Sequence, residues 1–253
     1  MTETWIDSLK PRRNAHARKE AKGITLNEIL VIDDANVDTI WQKRIRTSAI
    51  FMFLSGIRVG AFVSLSLCAI DLDNCVIKQW PELGVKTKFQ KHASTYLLPI
   101  PELLEVVLEW ENSLREVLSE TDYWFAPISP ETGMVDRHPH LIGRHRADRA
   151  RKNLRRWLKI VGLPYFSPHQ FSHGHALYAL KQAKDVGDWR AVSRNLMLSN
   201  LSTTDGVYGL FSETDVQERI GALGQQLDHT TLSREEFESL LIKTLQSLSE
   251  QDS

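Results

Sequence analysis

The sequence predicts an α+β fold that is mainly α-helical and carries one small antiparallel sheet. Apolar residues recur at helical spacing through most of the 253 residues, most clearly over 39–55 and 102–118. Strand-like patterns are confined to residues 76–100. Hydrophobic residues make up 42% of the chain and charged residues 25%, which is the usual balance of a globular protein. A chain of this length has room for one large domain with at most a small appendage.

Start and stop signals place the first helices. The pair Thr25-x-x-Glu28 before an apolar run predicts a capping box that opens a short helix. Residues 39–55 predict a longer helix that ends at Gly56, because glycine readily adopts the left-handed conformation that follows a helix. A further helix is predicted to begin at Val59 and to run through Leu65.

Three short runs, at residues 76–80, 84–88 and 95–100, predict the strands of the sheet. Helical spacing returns after the sheet and is interrupted by a loop at residues 127–140, which contains four prolines or glycines. The helices predicted in the second half cover residues 102–118, 144–161, 168–184, 188–196 and about 202–208.

The chain is predicted to have three parts. Residues 1–38 form a basic N-terminal arm and the short helix, residues 39–223 form the main domain, and residues 224–253 contain an amphipathic helix. Ser233 is placed to cap that terminal helix. Such a helix covers its own core or docks on another molecule.

Charge is segregated along the chain although the net charge is only −1. Residues 137–159 hold nine cations against one acid, residues 10–22 hold six cations against one acid, and residues 213–253 hold nine acids against three cations. Two basic blocks on a nearly neutral chain predict a surface for a polyanion such as DNA. The alternative for either block alone is a solvated basic helix.

Several classes of protein are disfavoured. No apolar run approaches the roughly 20 residues of a membrane helix, and the first residues lack the pattern of a signal peptide. Two cysteines, Cys68 and Cys75, do not make a disulfide framework. We expect a cytoplasmic, nucleoid-associated protein without metal or cofactor. His169, His173 and His175 lack the nearby cysteine or acid that would complete a zinc site.

Four segments carry a resemblance when they are taken in order. They are Ser55-Gly56-Ile57-Arg58-Val59-Gly60-Ala61, then Gly84-Val85-Lys86-Thr87-Lys88, then Pro168-His169-Gln170-Phe171-Ser172-His173, and finally residues 196–204 with the downstream Tyr208. Together they resemble the boxes of the catalytic domain of tyrosine recombinases, the phage-integrase family, over roughly residues 25–222. The resemblance implies the catalytic-domain fold of that family, site-specific recombination of double-stranded DNA, and no cofactor. It also implies that the helix in residues 224–253 is a candidate for exchange between protomers, as in the cyclic assemblies of that family.

The resemblance also implies roles for individual residues. Tyr208 would attack a DNA phosphodiester, breaking the bond to the 5′ oxygen and forming a 3′-phosphotyrosine. Arg58 would clamp the phosphate oxygens, and Lys86 would protonate the departing 5′ oxygen, with Lys88 or Lys91 as alternatives. His169 would serve as the acid–base histidine. His173 would support the site as a buried hydrogen-bonding residue.

The sequence departs from the family at two positions that matter for this chemistry. Ser172 stands where the family has its second arginine, and Leu198 stands where it has a histidine or tryptophan. Losing one preorganised donor lowers a rate by roughly 10²–10³. We therefore expect strand cleavage to be weak or lost. Arg190 or Arg194 is a candidate for rescuing the clamp.

The leading interpretation is a DNA-binding tyrosine-recombinase homologue with a degenerate site. Two alternatives stay open: an active integrase with a variant site, and a non-catalytic interaction module that uses the C-terminal helix. The expected partners are double-stranded DNA and either copies of this chain or an active recombinase. The residues predicted to contact DNA are Lys88, Arg144, Arg146, Arg149, Arg151, Lys152 and Arg155.

Overall fold

The structure is a computed structural model that describes residues 23–87, 90–137, 145–183 and 186–197. The helices predicted at 202–208 and in the C-terminal tail lie outside these residues, as does the basic stretch of the N-terminal arm. Within the described ranges, no helix is both long enough and apolar enough to span a bilayer.

The first three helices begin at or within one residue of their predicted starts. Helix α1 covers Leu26–Asp33, and the Thr25 hydroxyl accepts a hydrogen bond from the Glu28 amide at 3.3 Å. Helix α2 covers Ile40–Ser55, and Gly56 ends it with a φ of 66°. Helix α3 covers only Val59–Phe62, shorter than predicted. The Ser64 hydroxyl donates to the Gly60 and Ala61 carbonyls, and such bonds compete with continuation of a helix.

Helix α2 is the centre of the core. All residues from 47 to 55 are buried, which is the pattern of a helix surrounded by other elements. An aromatic cluster packs on it, with the Phe51 and Trp124 ring centroids 4.5 Å apart. Phe62 lies 5.9 Å from Phe51 and 5.5 Å from Phe125. Because α1, α4, α5 and α6 all contact α2, it fixes the elements that carry the candidate site.

The sheet has three antiparallel strands in the order β1-β2-β3, namely Ile70–Asp71, Val76–Gln79 and Ala93–Tyr96. Ile77 pairs with Ile70 on one side and with Thr95 on the other, and all three are buried. The strand predicted at residues 84–88 is wrong for its described part, 84–87. Gly84 ends a turn with a φ of 79°, and the Lys86 amide donates to the Ser64 hydroxyl instead of to a strand.

The second half is helical, as predicted. Helix α4 covers Pro101–Arg115, α5 covers Arg146–Ile160, α6 covers Pro168–Gln182 and α7 covers Val186–Asn195. The prediction of a mainly helical α+β fold with a small antiparallel sheet is therefore confirmed.

The segment before α1 crosses α6 at very short range. The Ile24 amide donates to the Gln170 carbonyl at 3.1 Å, and Gly23 and Gly174 lie against each other at the crossing. The absence of a side chain at Gly174 lets the two backbones approach. This contact ties the start of the described chain to the helix that carries His169 and His173. The three-part division of the chain stays a prediction.

Candidate active site

Arg58 reaches the surface through a sharp change of backbone direction. Gly56 adopts a left-handed conformation, Ile57 turns back into the core with 2% exposure, and Arg58 is exposed at the N-terminal end of α3. A Cβ atom on Gly56 would lie 2.6 Å from Leu196 Cδ2 and 2.9 Å from His175 Cδ2. The glycine is therefore required both by the turn and by close packing. It places Arg58 where a ligand has access to the guanidinium.

The two histidines of α6 form a hydrogen-bonded pair. Ser167 and Gln170 make a capping box that begins the helix, and the helical spacing then puts His169 on the surface and His173 beneath it. The two Nε2 atoms are 2.7 Å apart, and the rings meet edge to face. A neutral imidazole has one donor and one acceptor, so one ring donates to the other. This geometry fits the supporting role predicted for His173.

Arg58 and His169 act on each other electrostatically. Partial burial, followed by the charge of Arg58, lowers the pKa of His169. Burial, followed by the charge of His169, lowers the pKa of His173 to about 4. Both imidazoles are therefore neutral at pH 7, because burial disfavours the charged form of each ring and a neighbouring positive charge adds to that effect. The structure thus brings two of the predicted site residues together.

We expect Arg58→Met to raise the pKa of His169. Removing the guanidinium removes a repulsive charge, while burial continues to hold the pKa below its ordinary value. Titration of the His169 ring protons by NMR measures the change. Lys86→Met is the matched control, because Lys86 is exposed and does not contribute to this pKa. An equal rise in both variants would contradict the placement of Arg58 beside His169.

Ser172 lies beside the backbone of the arginine segment. Its hydroxyl is buried and donates to the Ile57 carbonyl at 3.3 Å, one residue before Arg58. The position that the resemblance assigns to a second arginine is therefore adjacent to Arg58 in space. In this chain it holds a small neutral group whose hydrogen bond is made inside the protein. Ser172 supplies no charge to a bound phosphate.

Lys86 is held near α3 by its own backbone. The Lys86 amide donates to the Ser64 hydroxyl at 2.8 Å, and the Lys86 side chain is exposed. The hydroxyl of Ser64 is itself fixed by the α3 carbonyls, so Lys86 has a defined attachment six residues from Arg58 along the chain. Lys91 is also exposed. Its candidacy as the alternative general acid stays a prediction.

Several predicted residues lie outside the described part of the chain: Lys88, Arg144, Leu198 and Tyr208. The side chain of Arg190 is likewise not described, whereas Arg194 is exposed near the end of α7. Within the described ranges, no group of three histidine, cysteine or acidic side chains is placed to hold a metal ion.

The exposed face of α5 has two stripes of cations, and each stripe includes one arginine that stacks on an aromatic ring, which in the first stripe is Arg156 on Trp41 at 4.7 Å. Arg149, Lys152, Arg156 and Lys159 follow one another at helical spacing and are all exposed. On the neighbouring stripe, Arg151 pairs with Asp148 at 2.8 Å, and Arg155 stacks on Tyr165 at 4.3 Å. We call the first four residues the cationic stripe. It is the part of α5 best suited to phosphates, since its charges are not offset by Asp148.

Arg146 has partners inside the protein. Its guanidinium donates to the Val63 and Phe125 carbonyls at 2.8 and 2.6 Å and stacks on Tyr123 at 4.2 Å. Burial lowers its pKa to about 10. These contacts fasten the start of α5 to the segment after α3 and give Arg146 a structural role that the charge count did not reveal. Its predicted contact with DNA stays a prediction.

The similarity of this chain to known proteins lies in its structure. No family model matches the sequence, and no curated protein matches it significantly. Among solved structures, the XerA recombinase matches with a TM-score of 0.56 and 16% identity, covering 82% of this chain and 66% of that one. The XerH site-specific recombinase bound to a palindromic difH substrate matches with a TM-score of 0.54 and 17% identity, covering 82% and 54%.

The chain has the fold of the tyrosine recombinases. A third match, the Tn1549 transposon integrase in complex with transposon right end DNA, has a TM-score of 0.50 and 12% identity and covers 82% of this chain and 68% of that one. This chain spans less than two thirds of the length of the XerA and XerH structures. The expectation of a tyrosine-recombinase catalytic-domain fold is confirmed.

Sequence reasoning missed two polar residues near this site in the tyrosine-recombinase fold. His175 is 1% exposed and was considered only as a metal ligand. Asn195, the last residue of α7, bonds to the edge of the sheet. The sequence carries no signal for Asn195, because its two backbone partners on Tyr96 are about 100 residues away and its side-chain partner is His175 on another helix.

Proposed function

We propose that this chain binds double-stranded DNA through the cationic stripe and the Arg58 region, and that its capacity for strand cleavage is weak or lost. The observation that supports this most directly is the juxtaposition of an exposed arginine and a neutral histidine pair with Ser172, in a tyrosine-recombinase fold. Helix α5 begins beside the segment after α3, as the bond from Arg146 to the Val63 carbonyl indicates. A duplex lying along the cationic stripe would therefore pass close to Arg58.

The site residues that this chain retains are better suited to binding a phosphate than to catalysing phosphoryl transfer. Arg58 supplies one positive clamp, and a neutral His169 supplies a donor or acceptor without adding charge. An in-line phosphoryl transfer needs its charge spread over several fixed donors. With Ser172 bonded to the Ile57 carbonyl, the second guanidinium of that set is missing from this position.

The test of this function is salt-dependent binding of duplex DNA by the full chain. We expect measurable affinity at about 50 mM salt that falls by orders of magnitude toward 200 mM, as for a protein that contacts several phosphates. Fluorescence anisotropy with duplexes enriched by repeated selection measures it. Absence of any binding at low ionic strength would sink the proposal. Binding that does not change with salt would also oppose it.

A restoration experiment tests the weakness of cleavage. Ser172→Arg combined with Leu198→His is expected to raise formation of a covalent protein–DNA adduct about 10²-fold on a nicked suicide duplex, because it restores two donors. Gel analysis under denaturing conditions measures the adduct.

Two controls sharpen that experiment. Ser172→Met, with Leu198 left unchanged, adds bulk at the buried position without charge and should give no gain. Adding Tyr208→Phe to the restored chain should abolish the adduct. No gain on a duplex that the chain binds would contradict the account of Ser172 and Leu198. Efficient cleavage by the unmodified chain would favour the active integrase with a variant site.

We propose further that the partners on DNA are copies of this chain or an active recombinase, with the 233–249 helix as the exchanged element. The acidic character of residues 213–253 and the amphipathic spacing support this. A DNA-bound protein of this kind would be associated with the nucleoid. Sedimentation of the full chain with selected DNA distinguishes a monomer from an oligomer.

A further inference from the structure

The side chain of Asn195 occupies the open edge of the sheet. Its Oδ1 accepts from the Tyr96 amide at 2.7 Å, and its Nδ2 donates to the Tyr96 carbonyl at 2.9 Å. A neighbouring strand would make the same two bonds to β3, so one amide side chain substitutes for a strand at this residue. The Asn195 carbonyl also accepts from the Thr95 hydroxyl at 3.3 Å. The end of α7 is thus bonded to two successive residues of β3.

His175 joins the same residue from the side of α6. It is buried, its Nδ1 donates to the Phe53 carbonyl at 2.9 Å, and its Nε2 lies 3.4 Å from Asn195 Nδ2. Burial lowers the pKa of His175 to about 4, against a smaller opposing effect of the Phe53 and Leu54 backbone. Among the described residues, no ionisable side chain contributes to this pKa.

The hydrogen-bonding roles in this group are mutually consistent. A neutral His175 that donates from Nδ1 must accept at Nε2. The two hydrogens of Asn195 Nδ2 then go to the Tyr96 carbonyl and to His175 Nε2, while Oδ1 accepts from the Tyr96 amide. Reversing the amide would oppose all three partners. An isosteric hydrophobic residue would leave the buried His175 acceptor without a donor, which is costly.

We propose that Asn195 is a positioning residue that holds the end of α7 in register with α6 and with the sheet. This rests on the proposed function for its biological purpose, because the three joined elements lead to the candidate site residues. Helix α6 carries His169, the β2–β3 connection carries Lys86, and the chain leaving Asn195 continues to Leu198 and Tyr208. Asn195 fixes the position of the chain just before residues 196 and 197, from which the sequence continues.

If Asn195 acted only by packing, an amide would not be required at this position. Two substitutions distinguish a packing role from a hydrogen-bonding role, and the effect of one of them should depend on pH. Asn195→Leu keeps the number and branching of the side-chain heavy atoms and removes all three side-chain bonds. Asn195→Asp keeps the acceptor for the Tyr96 amide but turns an oxygen toward the Tyr96 carbonyl and His175 Nε2. The repulsion from His175 disappears when Nε2 takes up a proton and donates to the carboxylate, whereas the repulsion from the Tyr96 carbonyl remains. We therefore expect the aspartate variant to raise the proton affinity of His175 at least tenfold.

The experiment measures position directly. Spin labels at Lys91→Cys and Met197→Cys, with Cys68 and Cys75 replaced by serine, report the distance from the β2–β3 connection to the end of α7. We expect Asn195→Leu to broaden the distance distribution and to speed hydrogen exchange of the Tyr96 amide at least tenfold. Asn195→Asp should be broad at pH 8 and should narrow as the pH falls to about 5, because a tenfold rise in proton affinity from a pKa of about 4 brings protonation of His175 into that range.

Ala191→Gln, at an exposed position of α7, is the matched control and should match the unmodified chain. The proposal is overturned if Asn195→Leu, folded by circular dichroism, keeps a narrow distribution and a protected Tyr96 amide. It is also overturned if the distribution of Asn195→Asp does not respond to pH. These measurements use no DNA, so failure of the proposed DNA binding would leave their outcome intact and readable.

Discussion

Gly174→Ala is expected to lower the free energy of unfolding by about 3 kcal/mol, at the upper end of the range for overpacking a core. The added Cβ would lie 2.1 Å from the Ile24 carbonyl oxygen and 2.9 Å from Ile24 Cγ2. The Ile24 backbone cannot move aside freely, because its amide donates to the Gln170 carbonyl of the same helix. Urea denaturation followed by circular dichroism measures the loss.

Gly60→Ala is the control for that substitution. Gly60 lies in α3, and an added Cβ would meet no atom within 4 Å. We expect it to be neutral or to stabilise the fold by roughly 0.4–1 kcal/mol, because alanine restricts the unfolded chain. Equal stability of the two variants would mean that the segment before α1 does not cross α6 as closely as the structure has it.

Arg149→Glu combined with Lys152→Glu is expected to reduce the affinity for duplex DNA about 10³-fold at low salt. Two phosphate contacts become two repulsions. The slope of log affinity against log salt concentration should therefore become shallower by about 2, which corresponds to the loss of two phosphate contacts. Arg149 also lies close enough to Arg44 and Arg146 to lower the pKa of both. Its reversal therefore relieves a repulsion inside the protein, so the fold should be retained. Fluorescence anisotropy over a range of salt concentrations measures the effect.

The matched variant changes the net charge by the same amount, but on the other stripe of the same helix. Arg151→Glu with Arg155→Glu removes a cation that Asp148 already offsets and another that stacks on Tyr165. We expect a loss of affinity at least tenfold smaller than for the first pair. Equal losses would indicate attraction by net charge alone and would remove the cationic stripe as the interface.

The local elements of this fold were largely predictable because their signals are local. The capping box at Thr25 and the glycine after α2 act within a few residues, so the pattern and the structure agree. The strand predicted at residues 84–88 is wrong for its described part, 84–87, because a distant segment decides the conformation there. Its residues have strand propensity, but the Lys86 amide bonds to Ser64, 22 residues earlier in the chain.

In the candidate site, too, the sequence identified the residue types, and the tertiary structure determined their surroundings. The motifs identified Arg58, His169 and Ser172, and the structure brings them together. Ser172 donates to the Ile57 carbonyl, one residue before Arg58, and Arg58 is close enough to His169 to lower its pKa. The charge count treated all α5 cations alike. Only the packing separates Arg146, bonded to two carbonyls, from the exposed Arg149 and Lys152.

The sequence by itself determined the fold class, the order of its helices, and the residue types available for phosphate chemistry, because periodicity, caps and motifs are encoded at short range. The tertiary structure decided which cations are exposed, which strand completes the sheet, and that Asn195 and His175 join α7, α6 and β3. Those outcomes depend on backbone groups and burial contributed by distant segments. A hydrogen bond to a carbonyl 100 residues away leaves no pattern in the order of the side chains.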